Sequence, residues 1–202
     1  MLLAGPVIAL ADVVAVDDVT KLRAALTAAK AGDEIVLADG TYAVSGESLR
    51  CQASASPAKP IVVRAASPLG AKVELATLEG FVVTGASWHF EGLDIKGVCA
   101  ADKDCEHAFH VSGAATDFVL RKNRIVDFNA QLKVNASAGG AAIPHAGIVE
   151  GNEVFDTHPR DTGAPVTKLN IDTGDGWVVR ANSSPRAASA SSSRRAKRTA
   201  TS

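Results

Sequence analysis

The feature that most constrains this chain is a segment that returns at a fixed interval. Asp117-Phe-Val-Leu-Arg-Lys-Asn-Arg-Ile-Val-Asp-Phe128 has an apolar alternation, a charged residue, a spacer, an Asn and a second strand-like run. It recurs as Gly147-Ile-Val-Glu-Gly-Asn152-Glu-Val-Phe-Asp and as Trp177-Val-Val-Arg-Ala-Asn182. One copy earlier, Trp88-His-Phe-Glu-Gly-Leu93 keeps the frame with Leu in place of Asn. Positions 93, 123, 152 and 182 are separated by 30, 29 and 30 residues. A period of that size carried on β-type segments specifies stacked supersecondary units, a solenoid.

Each unit reads as a first strand, a variable connection, a second strand, a tight turn at the Asn, and a third strand. The first strands are Phe81–Thr84, Phe109–Ser112, Leu132–Asn135 and Leu169–Asp172. Alternation turns Phe81/Val83, Phe109/Val111, Leu132/Val134 and Leu169/Ile171 inward. Asn tolerates a left-handed backbone, and its amide can bond to the same Asn one rung away. Asn123, Asn152 and Asn182 therefore form a predicted structural ladder, with Leu93 as its apolar end. Gly147, where the other copies carry Phe118 and Trp177, marks a rung less well filled or shifted.

Ahead of the rungs, Asp17 and Asp18 are N-caps for a helix over Thr20–Ala31, with Leu22, Leu26 and Ala29 on one stripe and Gly32 as the stop. Such a helix caps the end layer of a solenoid, which otherwise exposes apolar side chains and open strand edges. The strand that follows closes on the Asp39-Gly40 turn, residues 45–59 read as a loop, and Pro60–Arg64 as a further strand.

At the extremes, residues 1–11 are a short apolar run ending Ala9-Leu10-Ala11, a small–x–small cleavage pattern without a basic n-region. They are read as the remnant of a signal peptide, the alternative being an N-terminal strand; the run is too short to span a membrane. Residues 12–182 are the repeat domain. Residues 183–202 carry five basic residues and no acid, leaving 16 basic against 22 acidic groups, a net of −6, on the rest. A mildly acidic body gives no reason to expect nucleic acid, and the tail reads as a disordered low-complexity end. The repeat stops in mid-rung after Asn182, which predicts a shifted frame or a fragment, monomeric but with an open C-terminal edge prone to association.

Cys99 and Cys105 flank a short polar loop and are a disulfide candidate; Cys51 is left over, and metal spacings such as Cys-x-x-Cys are missing. Export to a secreted or periplasmic location agrees with that pair.

For chemistry, rung stacking matters, because outward residues of one strand column form a face with neighbours about 4.8 Å apart. The first-strand column shows Val82, His110, Lys133 and Asn170, then Thr84, Ser112, Asn135 and Asp172. His110, Lys133, Asn135, Asn170 and Asp172 are thus substrate-binding candidates, with Arg160 and Asp161 on the lip; the alternative is an ordinary solvated face. Strict alternation puts His107 and His110 on opposite faces, a poor metal pair, and no metal site is assigned. His89, His145 and His158 read as loop or surface residues. Arg121, Glu150 and Arg180 on the second strand fall in register as a charge ladder. Phosphate loops and nucleophile elbows are not found in the sequence.

The opening Val19-Thr-Lys-Leu-Arg-Ala-Ala-Leu, then Ala31-Gly-Asp-Glu-Ile-Val-Leu-Ala-Asp-Gly-Thr-Tyr42, and Pro60-Ile-Val-Val-Arg-Ala resemble the N-terminal part of right-handed parallel β-helix (pectin-lyase-like) proteins. Most similar are those related to the alginate lyase and chondroitinase B polysaccharide lyases, over roughly residues 13–182. The resemblance implies an all-β, single-stranded right-handed parallel β-helix with a short capping helix. It implies an acidic polysaccharide as partner and β-elimination as chemistry, with a Lys base, an assisting Arg and often Ca²⁺ held by Asn and Glu. Neutralising the uronate carboxylate is what makes the C5 proton acidic. The calcium ligands and the Lys–Arg pair of that family match no residues here, so the catalytic residues stay unassigned and the chain is expected to lack a complete active site. The expected function is a secreted protein that binds, or in intact form cleaves, acidic polysaccharide; the alternative is a non-catalytic adhesin or surface-structural module.

Overall fold

The computed structural model describes residues 12–185; the signal-peptide reading of residues 1–11 and all but three residues of the tail lie outside it. Parallel strands, stacked rung on rung, make three sheets. First strands form a five-stranded sheet: Leu49–Cys51, Glu79–Val83, His107–Ser112, Ala130–Asn135 and Thr167–Ile171. Second strands form a seven-stranded sheet from Val13–Val16 to Val178–Arg180, and third strands a five-stranded sheet from Gly40–Ser45 to Glu153–Phe155. The chain visits the three sheets in turn, so each strand pairs with its counterpart one coil away; the fold is a parallel β-helix.

The register follows the repeat. Phe81, Phe109, Leu132 and Leu169 pair in one row, and Val82, His110, Lys133 and Asn170 in the next. Inside the coil, Phe81 and Phe109 stack at 5.0 Å between ring centroids, and Phe90 meets both edge-on. Two stretches read as loop or left unassigned are strands. Leu49–Cys51 buries Leu49 and Cys51, and Ala71–Ala76 buries Ala71, Val73 and Leu75. Both alternate correctly, but their Ser-, Ala- and Lys-rich surroundings carry little β signal.

The helix α1 runs Val19–Ala28, three residues shorter at its end than the spacing predicts, with the Asp18 carboxylate accepting from the Lys21 N–H at 2.8 Å as its N-cap. A strand, Val13–Val16, precedes it and pairs with Glu34–Leu37. Leu22 and Leu26 are buried, and Arg23 donates to the carbonyls of Ser45, Glu47 and Ser48, tying the helix to the loop beneath it.

At the repeated turn, Asn123 Nδ2 donates to Asn152 Oδ1 (3.1 Å) and to the Phe90 carbonyl, and Asn152 Nδ2 donates to Asn182 Oδ1 (2.9 Å) and to the Leu120 carbonyl. Each Oδ1 also accepts the backbone N–H one rung below, ending with Leu93 N–H on Asn123 Oδ1 at 2.9 Å. The left-handed backbone does not fall on the Asn. It falls on the residue before it: Gly92, Lys122, Gly151 and Ala181 all have φ between 55° and 69°. The Asn side chain is thus chosen for its amide and its burial, while the preceding residue bears the turn.

Gly147 is not a void. A Cβ there would lie 2.1 Å from the Trp177 ring, which leans down from the next rung into the space. Beyond Asn182 the chain still pairs: Ser183 bridges Glu153, with the Val154 N–H donating to the Ser183 carbonyl at 2.8 Å.

Two substitutions test this packing. Gly147→Val forces the Trp177 indole out of its seat, with an expected loss of about 1–3 kcal/mol in denaturant unfolding followed by tryptophan fluorescence. Asn152→Leu leaves the Asn123 N–H and the Leu120 carbonyl unpaired in the core; at about 1–3 kcal/mol per orphaned group it is expected to cost more than Gly147→Val.

Candidate functional site

The outward face of the first-strand sheet carries two adjoining side-chain groups. In the first, Lys133 pairs with Asp172, and Asn170 sits between them. With its amide turned so that donors meet acceptors, Asn170 accepts from Lys133 Nζ at 3.1 Å and donates to Asp172. In the second, Glu79 receives both imidazoles: His107 Nδ1 is 3.0 Å from Oε1 and His110 Nδ1 is 3.0 Å from Oε2. The far nitrogen of His110, Nε2, meets Asn135 Oδ1 at 2.7 Å.

His107 and His110 therefore share a face, contrary to strict alternation. The reason is a corner in the strand. Ala108 and Phe109 are both buried, as are Gly80 and Phe81 one rung below and Gln131 and Leu132 one rung above. Two successive inward residues turn the pleat by one position, so residues three apart emerge on the same side. Gly80 fits this corner tightly, since a Cβ there would meet the Ala108 carbonyl oxygen at 2.5 Å. A small residue just before an aromatic one, as in Gly80-Phe81 and Ala108-Phe109, is the signal in the sequence that marks the slip.

Burial alone would raise the Glu79 carboxyl, but the hydrogen bond from His107 and the His110 imidazole 3.0 Å from its other oxygen outweigh it and hold it down at about 2. The neighbouring Glu79 carboxylate raises His110, against burial and the repulsion of nearby Lys133. The Glu79, His107 and His110 ligand atoms lie within 4.8 Å of one another, a geometry that can hold a metal ion. Beside them runs a groove of about 230 Å³ lined by Glu106, His107, Asn129, Lys133, Thr167 and Asn170 among others.

Of the residues singled out from the sequence, His110, Lys133, Asn135, Asn170 and Asp172 come together on this face. Arg160 does not join them as a free cation. Its side chain is 4% exposed, with Nη1 2.8 Å from Asp102 Oδ1 and Nη2 donating to the Asp102 carbonyl at 3.0 Å. Asp161 serves through its backbone, its N–H donating to Asp102 Oδ2 at 2.7 Å; this bond is the main reason the Asp102 carboxyl titrates low. His158 Nε2 lies 3.1 Å from the same carboxylate. Asp102 thus pins the connection 157–161 over the loop closed by the Cys99–Cys105 disulfide, whose Cα atoms are 5.6 Å apart.

The other histidines lie apart. His89 is half-buried on the second-strand sheet, where burial and then Arg121 lower its proton affinity, and His145 Nδ1 accepts from the Asp175 N–H. On that second-strand sheet the charges pair as Arg121 with Glu91 and Arg180 with Glu150, at 2.9 and 3.0 Å. Cys51 is buried, and burial pushes its thiol up. Among the described residues, no helix is long and apolar enough to cross a membrane.

No family model and no curated protein matches the chain. Solved structures do. An alginate lyase from Paenibacillus sp. str. FPU-7 aligns with 85% of this chain and 65% of its own at TM-score 0.53 and 21% identity. The pectate lyase Pel9A aligns with 79% of this chain and 40% of its own (TM-score 0.61, 18% identity). A PL6-family polysaccharide lyase from Pseudopedobacter saltans aligns with 83% and 36% (TM-score 0.60, 17% identity). The chain spans about two thirds of the length of the first and well under half of the other two. The shared property is the parallel β-helix fold.

Replacing Arg160 by Leu removes the buried cation from Asp102, whose carboxylate keeps only the Asp161 N–H and His158. The expected loss is about 1–3 kcal/mol, the scale of lost hydrogen bonds to a charged group, read by thermal unfolding. A change of ligand binding without loss of stability would contradict the structural role.

Proposed function

We propose that the outward first-strand face binds acidic polysaccharide, in an exported protein, and that an intact form of the protein cleaves such a glycan by β-elimination. The observation that carries this reading is the stacking of His110, Lys133 and Asn170 in one register row, with Asn135 and Asp172 beside it. A cation, two amides and an imidazole at rung spacing suit the alternating carboxylates and hydroxyls of a uronic-acid chain. Lys133 enters as the cation for a carboxylate; no described residue is assigned as the base. The likeness in fold to enzymes described as alginate, pectate and PL6 lyases supports the substrate class, and the Cys99–Cys105 disulfide supports export.

A second reading has its own support. Lys133 is already paired with Asp172 and Asn170, and Arg160 with Asp102, so the face offers little uncommitted positive charge. That balance suits a non-catalytic adhesin or surface-structural module.

Titration with alginate, pectate and chondroitin, against a neutral glucan control, separates the two, together with the ultraviolet absorbance of any unsaturated product. Saturable binding to an acidic glycan is expected, weakened about tenfold by Lys133→Ala, the scale of one charge-assisted hydrogen bond at ~1.5 kcal/mol. Absence of binding to every acidic glycan would leave the structural-module reading.

A further inference from the structure

The Glu79, His107 and His110 group has a composition that glycan recognition does not require. Two imidazoles and one carboxylate, from adjacent rungs, converge on one point with their ligand atoms within 4.8 Å of each other. We propose that this trio is a binding site for a divalent transition metal of the zinc class.

Donor type is the first argument. Imidazole nitrogen with a carboxylate suits zinc and its first-row neighbours, whereas calcium and magnesium require sets made of oxygen. Spacing is the second. Zinc–ligand bonds of about 2.0–2.1 Å in tetrahedral geometry place ligand atoms roughly 3.3 Å apart. Each imidazole Nδ1 lies 3.0 Å from one oxygen of the Glu79 carboxylate, close to that separation, and the ligand atoms of the trio all fall within 4.8 Å, so modest side-chain rotations draw them around one ion.

Orientation is the third. A metal-bound imidazole is fixed by the hydrogen bond its other nitrogen makes. His110 points Nδ1 at the centre and holds Nε2 on Asn135 Oδ1 at 2.7 Å. His107 likewise points Nδ1 inward, with Nε2 4.0 Å from Glu106 Oε1. On binding, each imidazole presents an unprotonated Nδ1 to the metal and carries its proton on Nε2; Asn135 Oδ1 accepts that of His110, and the Glu106 carboxylate faces that of His107 from beyond hydrogen-bond distance. The three side chains stand on paired strands, 13 to 26% exposed, so little conformational freedom is lost.

Three protein ligands leave a fourth position for water or for an oxygen of a bound molecule. His107 also lines the groove beside Lys133, which puts the metal next to the glycan-binding face. The site does not rest on the glycan reading and can fail or hold without it.

Calorimetric titration of chelator-treated protein with zinc chloride tests the site directly. One ion per chain is expected, at micromolar or tighter affinity, undiminished by excess calcium. Cobalt(II) in its place is expected to give the intense visible bands of a four-coordinate ion. His107→Ala and His110→Ala should each weaken binding at least about 100-fold, and Asn135→Ala about tenfold; His158→Ala, on the other connection, should change nothing. In the unmodified protein, side-chain nitrogen resonances of His107 and His110 should move on zinc addition while those of His89, His145 and His158 stay. That readout decides the matter even where a variant fails to fold. Lack of saturable zinc binding, binding that survives the double variant His107→Ala/His110→Ala, preference for calcium, or shifts at the other histidines would each overturn the proposal.

Discussion

The structure depends on one buried contact, the asparagine amide that links the successive turns at Leu93, Asn123, Asn152 and Asn182. Asn152 Oδ1 accepts both the backbone and the side-chain N–H of Asn123, and Asn182 Oδ1 does the same for Asn152. A turn in a parallel coil leaves backbone groups pointing along the stack with no strand to receive them. The amide supplies a donor and an acceptor in that direction, so each turn is completed by its neighbour. Vertical register follows: once the turns are locked, the strands on either side of them pair residue for residue.

From that register comes the surface. Outward side chains stack at the spacing of the rungs, so His110, Lys133 and Asn170 are neighbours although the chain separates them by more than twenty residues. Identical spacing brings Glu79 beneath His107. The metal trio and the polar row are both consequences of a ladder that itself takes no part in chemistry.

Much of this was legible in the sequence, for physical reasons that particular residues make plain. The period at Leu93, Asn123, Asn152 and Asn182 and the inward row of Phe81, Phe109, Leu132 and Leu169 are long-range signals repeated four times, and their register holds in the structure. Less legible was whatever depended on one local departure. His107 joins His110 because the strand turns a corner at Ala108-Phe109, and alternation counted along the sequence misses a single slipped position. Arg160 is committed to Asp102, 58 residues earlier, a partner no local pattern names. The positive φ at the repeated turn lies on Lys122 and Ala181 as well as on Gly92 and Gly151, so residue type alone did not mark it.

Trp177 and Gly147 show how far the coils are interchangeable. The indole fills a space that its neighbour leaves empty, and its Nε1 donates to the Pro144 carbonyl at 3.2 Å. Volume at this position is therefore shared between two turns of the helix. A duplication or deletion of one coil, which a ladder of identical asparagines would tolerate, here separates the large residue from its small complement. The repeats look modular in their hydrogen bonds, but in their packing this pair must be inherited together.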